Sequence, residues 1–146
     1  MRAKKSFYEL ALREMESNNP NKEKALEYLK QAVKSNDANA LYALGTWYVH
    51  GEVVKKNVKY GVLLISEAAK SNLPKALYDL AFAFEKGKGL KKNLSKAFVN
   101  YLKAAILGDK QSIYEVGRCY YYGFGIGKNK NTATIWLNLA QELGLS

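Results

Sequence analysis

The chain has 146 residues, 48% of them apolar and 25% charged, with a formal charge of +10. A chain of this length buries about 68–70% of its unfolded surface without staples, and so ordinary a composition excludes the disordered, collagenous and membrane classes. The single cysteine, Cys119, excludes an internal disulfide and any cysteine-based metal cluster, and fits a reducing compartment.

The N-terminal stretch MRAKKSFYELALREMESNN begins basic, but Glu9, Arg13, Glu14 and Glu16 interrupt any apolar run. It therefore predicts an amphipathic helix with Phe7, Leu10, Ala11 and Met15 on one face, not a secretory leader. No apolar run reaches the roughly 18 residues of a membrane span, and the expected location is the cytoplasm. Asn21, just after Pro20, sits where an N-cap is needed, ahead of a second helix carrying Ala25 and Ala32. The apolar pattern of A-L-Y-A-L-G-T-W-Y from Ala40 predicts the next helix, ended by Gly51. A loop over 51–57 leads to Asn57, a new cap, and a further helix through Ala68. The same succession follows twice more, with Gly87 and Gly123 ending helices, loops over 87–93 and 123–129, and Asn93 and Asn129 as caps.

The recurrence is strict. At a spacing of 36 residues Tyr42, Tyr78 and Tyr114 align, then Gly45, Ala81 and Gly117, Tyr48, Phe84 and Tyr120, and Ala68, Ala104 and Ala140. Asn21, Ala25 and Ala32 extend the register backwards, giving four units: a degenerate one over about 1–37, then 38–73, 74–109 and 110–146. Each unit is a helix–turn–helix that cannot bury its apolar face alone, so stacked pairs must share a core. The small residues at Gly45, Ala81 and Gly117 let the helices of a pair approach closely.

This pattern resembles the Sel1-like repeat family, a relative of the tetratricopeptide repeats. The third unit carries the resemblance through Ala76, Leu80, Phe84, Gly87, Gly89, Leu90, Ala97, Tyr101, Ala104, Ala105 and Gly108. The fourth carries it through Gly117, Tyr120, Gly123, Gly125, Ile126, Ala133, Trp136, Ala140 and Gly144. Two departures stand out: Asn replaces Asp at the cap, and Val53 occupies the place of the second loop glycine. The resemblance implies an all-α, α/α superhelical solenoid spanning 1–146 as a single domain. It also implies a non-catalytic adaptor or scaffold that binds other proteins, with no cofactor. Subgroups with paired cysteines are disulfide-bonded, and the lone Cys119 places this chain outside them.

A direct search for chemistry agrees. His50 is the only histidine and sits beside a helix-ending glycine, so no His or Cys set for a metal exists. The G-F-G-I-G run at Gly123–Gly127 lacks the Lys-Ser/Thr of a phosphate loop and follows a helix instead of a strand. Cys119, inside a helix, reads as a small buried side chain. No catalytic residue is assigned.

If the first helices of each unit line a groove, the exposed neighbours of the packed positions follow by helical spacing. They are Asn39, Tyr42, Thr46, Val49 and His50; then Lys75, Tyr78, Phe82, Glu85 and Lys86; then Gln111, Tyr114, Arg118, Tyr121 and Tyr122. Tyr42, Tyr78 and Tyr114 form a ladder, of a residue type enriched at binding hot spots. The partner residues assigned from the sequence are Tyr42, Thr46, His50, Lys75, Tyr78, Phe82, Tyr114, Arg118, Tyr121 and Tyr122, and the partner is a protein or peptide, acidic in view of the +10 charge. Small size and strong charge also suit an immunity protein capturing one acidic toxin domain. Nucleic acid ranks third, through a stripe of Lys55, Lys56, Lys91, Lys92, Lys128 and Lys130, because 20 lysines stand against only three arginines. The last helix, with Ile135, Trp136, Leu137, Leu139 and Leu143, reads as apolar nearly all round and without a polar capping face, which leaves that end to be covered by a homodimer, by a partner or by further residues.

Overall fold

A computed structural model describes residues 4–145; Met1–Ala3, the start of the basic N-terminus, and Ser146 lie outside the described residues. Eight helices and no strand occur among the described residues. They are α1 (Phe7–Glu16), α2 (Lys22–Lys34), α3 (Ala38–His50), α4 (Val58–Ala69), α5 (Pro74–Lys86), α6 (Leu94–Ile106), α7 (Lys110–Tyr122) and α8 (Lys130–Glu142). The chain divides into two compact units, the first ending at Ser71 and the second beginning at Asn72.

The punctuation read from the sequence is the punctuation of the fold. Asn57, Asn93 and Asn129 each accept a hydrogen bond from the amide three residues on, at 3.0, 2.9 and 3.0 Å. Each also donates its own amide to a carbonyl nine residues back, on Tyr48, Phe84 and Tyr120. The cap thus closes the loop and starts the next helix together. Gly51, Gly87 and Gly123 end α3, α5 and α7 in the left-handed conformation. Asn21 caps α2 in the same way as its later counterparts.

In the first unit α1 and α2 enclose Ala11, Leu29, Ala32 and Ala40, with Tyr8, Tyr28 and Trp47 packed around them. Phe7, expected on the packed face of α1, is exposed, and its ring stacks on Tyr28 at 6.4 Å. Between α3 and α4 the backbones nearly touch. A Cβ on Gly45 would lie 2.9 Å from the Gly61 carbonyl oxygen, and one on Gly61 would lie 2.6 Å from that of Gly45. The close approach predicted at Gly45 is therefore a two-glycine contact, and Gly61 is its other half.

Val53 is a second local feature of this unit. It holds φ +62°, as Gly89 and Gly125 do at the same register with +74° and +73°. A β-branched residue in the left-handed region is strained by about 1–2 kcal/mol. Val53→Gly relieves that strain and costs about 0.4–1 kcal/mol through the looser unfolded chain. Since Val53 is exposed and buries little, the expected result is a net gain of about 0.5–1 kcal/mol, measured as a higher urea midpoint at unchanged slope.

In the second unit α5 and α7 form one layer and α6 and α8 the other, with Ala81, Phe98, Tyr101, Ile113, Val116, Cys119 and Ala140 in the core. α6 turns one side toward the next repeat: Phe98 meets Tyr120 edge-on at 5.4 Å, and the backbone of Leu94 lies against Gly125. In α8 the residues 36 positions after Leu94, Phe98, Leu102 and Ala105 are Lys130, Thr134, Asn138 and Gln141, all exposed. The side of α8 that would continue the stack is therefore polar. This corrects the reading of α8 as apolar all round and uncapped. Trp136 and Leu137 face inward, and the exposed apolar residues Ile135, Leu139 and Leu143 occupy a different, outer side.

Candidate partner-binding face

Within the second unit the residues assigned from sequence divide into two groups. Tyr78 and Tyr114 are half-buried and pack against the core, and the Tyr78 ring tilts onto Tyr101 at 5.6 Å. These two members of the ladder are walls as much as surface. Lys75, Phe82, Tyr121 and Tyr122 are exposed. In the first unit His50 is exposed, Tyr42 is half-buried, and the half-buried Thr46 donates its hydroxyl to the Ala43 carbonyl at 2.8 Å. The stripe lysines 55, 56, 91, 92, 128 and 130 are all exposed.

Arg118 is where the structure changes the reading most. Read from the sequence as a residue offered to a partner, it is held inside the protein. Its Nη2 donates to Glu85 Oε1 at 2.5 Å, linking α7 to α5, and its Nε donates to Glu115 Oε2 at 2.6 Å. All three side chains are largely buried. Tyr101 donates its hydroxyl to the same Glu85 oxygen at 3.3 Å, and Gln111 donates to Glu115 Oε1 at 3.3 Å. Burial pulls the guanidinium pKa down, but the hydrogen bonds and charges of Glu115 and Glu85 more than reverse it, so the net direction is up. Burial, then the charges of Glu85 and Glu115, pushes the Tyr101 hydroxyl up, and burial chiefly raises Tyr78 as well. The cluster is a fixed polar hub under the α5–α7 face.

Glu115 and Phe124 were not singled out in the sequence. Glu115 stands three residues before Arg118, the spacing of an ion pair on one helix turn, and that is the signal that could have found it. Cys119, beside the hub, is buried. Burial pushes its thiol up to about 11, against the lowering influence of Arg118, and so favours the protonated thiol near neutral pH.

Around the hub lie the exposed rings of Phe82, Tyr121 and Tyr122 and the half-buried ring of Phe124, all but Tyr122 with a cation over them. Lys86 and Lys88 stand 5.9 and 5.3 Å from the Phe82 ring, and Lys130 stands 5.3 Å from that of Tyr121. Tyr122 meets Tyr121 edge-on at 4.8 Å and stacks on Phe124 at 5.4 Å, while Arg118 covers Phe124 from 5.5 Å. Phe82 precedes Glu85 by one turn and Tyr121 and Tyr122 follow Arg118 by one turn. The Glu85–Arg118 bond therefore places these rings on one face.

Sel1 repeat models match the chain four times, at residues 8–37, 38–73, 74–109 and 110–145. The chain belongs to the Sel1 repeat family. Its fold is accordingly the all-α solenoid of that family, in which the degenerate first stretch counts as a repeat. Among solved structures, a Sel1 repeat protein from Oxalobacter formigenes is 29% identical with a TM-score of 0.75, and the match covers 82% of this chain and 90% of that one. A protective antigen present in uropathogenic Escherichia coli strains, displaying an SLR fold, is 26% identical with a TM-score of 0.88 over 94% of this chain and 30% of that one. Helicobacter pylori cysteine-rich protein B is 28% identical with a TM-score of 0.63 over 84% and 87%. No curated protein matches the sequence. Sel1 repeats generally mediate protein–protein interaction, and the family is typically a non-catalytic scaffold.

Proposed function

We propose that the chain is a non-catalytic interaction module that holds an acidic segment of a partner protein on the α5–α7 face of its second unit. The observation that carries this reading is the group of exposed rings, Phe82, Tyr121 and Tyr122, flanked by Lys86, Lys88 and Lys130. Rings anchor a partner by desolvation, and aromatic residues dominate binding hot spots. The lysines above them attract carboxylates and speed encounter. Arg118 supports the face from beneath, because both of its carboxylate partners belong to the same unit.

The test is capture of the partner from source-cell lysate on the tagged protein at moderate salt, followed by titration of the purified partner. Phe82→Ala with Tyr122→Ala is expected to weaken binding by on the order of 100-fold, since each truncates a hot-spot type of side chain. Tyr78 is a poor choice for this test, because its loss would open the core. An unchanged affinity in the double variant sinks the assignment. Captured nucleic acid, released steeply by salt, would instead favour the lysine stripe.

A further inference from the structure

The other layer of the second unit carries a surface of different chemistry. α6 and α8, with the residue that caps the end of each, expose Val99, Ile106, Leu107, Ile135, Leu139 and Leu143. Ile106 is 73% and Ile135 69% exposed, the two most exposed large apolar side chains among the described residues. Val99 and Ile135, like Leu107 and Leu143, occupy the same repeat register, and Ile135, Leu139 and Leu143 lie four residues apart along one stripe of α8. No exposed ring belongs to this group. The equivalent positions in α2 and at its end are Glu27, Gln31, Lys34 and Ser35, so an apolar outer stripe is not a requirement of the repeat.

The charge around this surface is, Glu142 apart, of one sign. From Asn72 onward the chain holds ten lysines, every one exposed. It also holds five carboxylates, of which only Glu142 is exposed. Glu85 and Glu115 are occupied by Arg118, Asp109 caps α7 through Ser112, and Asp79 is half-buried. The second unit has withdrawn its carboxylates, Glu142 apart, and left its lysines outside. Lys103 lies within the aliphatic group, between Val99 and Ile106 along α6, and Lys96 and Lys110 stand close by in the chain. Glu142 is the single opposing charge on this side.

We propose that the outer face of α6 and α8 docks on an anionic lipid surface. Aliphatic side chains that reach into the interface, with lysines able to meet lipid headgroups, are the physical requirements of such a contact. A second copy packed through the same face fits less well, because each second unit would bring its exposed lysines against the other's with Glu142 as that unit's only exposed carboxylate. A protein partner of the usual kind fits the ringed face of α5 and α7 better, since that is where the hot-spot residue types are. Among the described residues no helix is long and apolar enough to cross a membrane, so the contact is one of lying on the surface. Each of these helices has 13 residues, about 20 Å at 1.5 Å per residue, and lies flat in the interface.

The experiment is co-sedimentation of the full chain with vesicles of phosphatidylcholine alone and of phosphatidylcholine with about one third phosphatidylglycerol, at about 0.1 M salt. Binding is expected only to the anionic vesicles. Ile106→Gln with Ile135→Gln is expected to weaken it at least tenfold, and Lys103→Gln with Lys110→Gln severalfold, while circular dichroism of both variants stays unchanged. Binding that survives the isoleucine changes would reduce the contact to unspecific charge attraction and overturn the proposal. Absence of binding overturns it too; a dimer in sedimentation equilibrium, dissolved by the same isoleucine changes, would then assign the face to a second copy.

Discussion

Gly125→Ala is expected to destabilise the second unit by about 3–4 kcal/mol, with the urea midpoint falling accordingly. Two costs combine. Gly125 holds φ +73°, where an L side chain is strained by about 1–2 kcal/mol. A Cβ there would also collide with the carbonyl group of Leu94 and crowd Phe98 Cβ at 3.1 Å. The obstacle is backbone, so it cannot swing away as a flexible side chain would, and overpacking of this kind costs about 1–3 kcal/mol more. Against a whole-domain stability of roughly 5–15 kcal/mol this is a large fraction. Val53 is the internal control. It occupies the same register with nearly the same φ, yet it is exposed. Gly→Ala and Val→Gly at equivalent positions should therefore move stability in opposite directions. If Gly125→Ala proved neutral, the approach of the loop to α6 would be looser than the structure has it.

That pair of residues also shows what the sequence could and could not convey. Repeat register made the fold legible: Gly51, Gly87 and Gly123 as helix ends and Asn57, Asn93 and Asn129 as caps were readable because each acts on its own few residues. The register also marks Asn36, Asn72, Gly108 and Gly144, which all take positive φ, although only the two glycines drew attention in the sequence. The binding face was less legible, because a helical wheel gives direction but not depth. Tyr78 and Phe82 lie one turn apart on α5, yet one leans into the core and the other stays in solvent. Which happens depends on Tyr101, a residue of another helix. The fate of Arg118 was equally hidden. Its partner Glu85 lies 33 residues away, and only the stacking of α7 beside α5 joins them. In α8 the apolar count was right, but the side mattered more than the count: Thr134 and Gln141 replace Phe98 and Ala105 where stacking would continue.

Removing the hub's cation gives the other large effect. Arg118→Met is expected to cost about 3–5 kcal/mol, because it leaves the largely buried carboxylates of Glu85 and Glu115 without the charge that holds them together. It also removes the guanidinium from the Phe124 ring, a contact of about 0.5–2 kcal/mol. The size of the loss would not show that the ion cluster is itself a source of stability, since much of it is the penalty of unpaired buried charge. The triple variant Arg118→Met, Glu85→Gln, Glu115→Gln separates the two meanings. With the charges gone, the side chains keep nearly their shape, and most of the stability should return. Denaturant unfolding of the two variants beside the native chain makes the comparison. A triple variant as unstable as Arg118→Met would mean that the geometry of the guanidinium, and not relief of repulsion, is what α5 and α7 require. Partner affinity then gives a second answer from the same proteins. If Arg118 only supports the face, the refolded triple variant should bind as the native chain does; a loss of binding at restored stability would return Arg118 to the surface role its sequence position suggested.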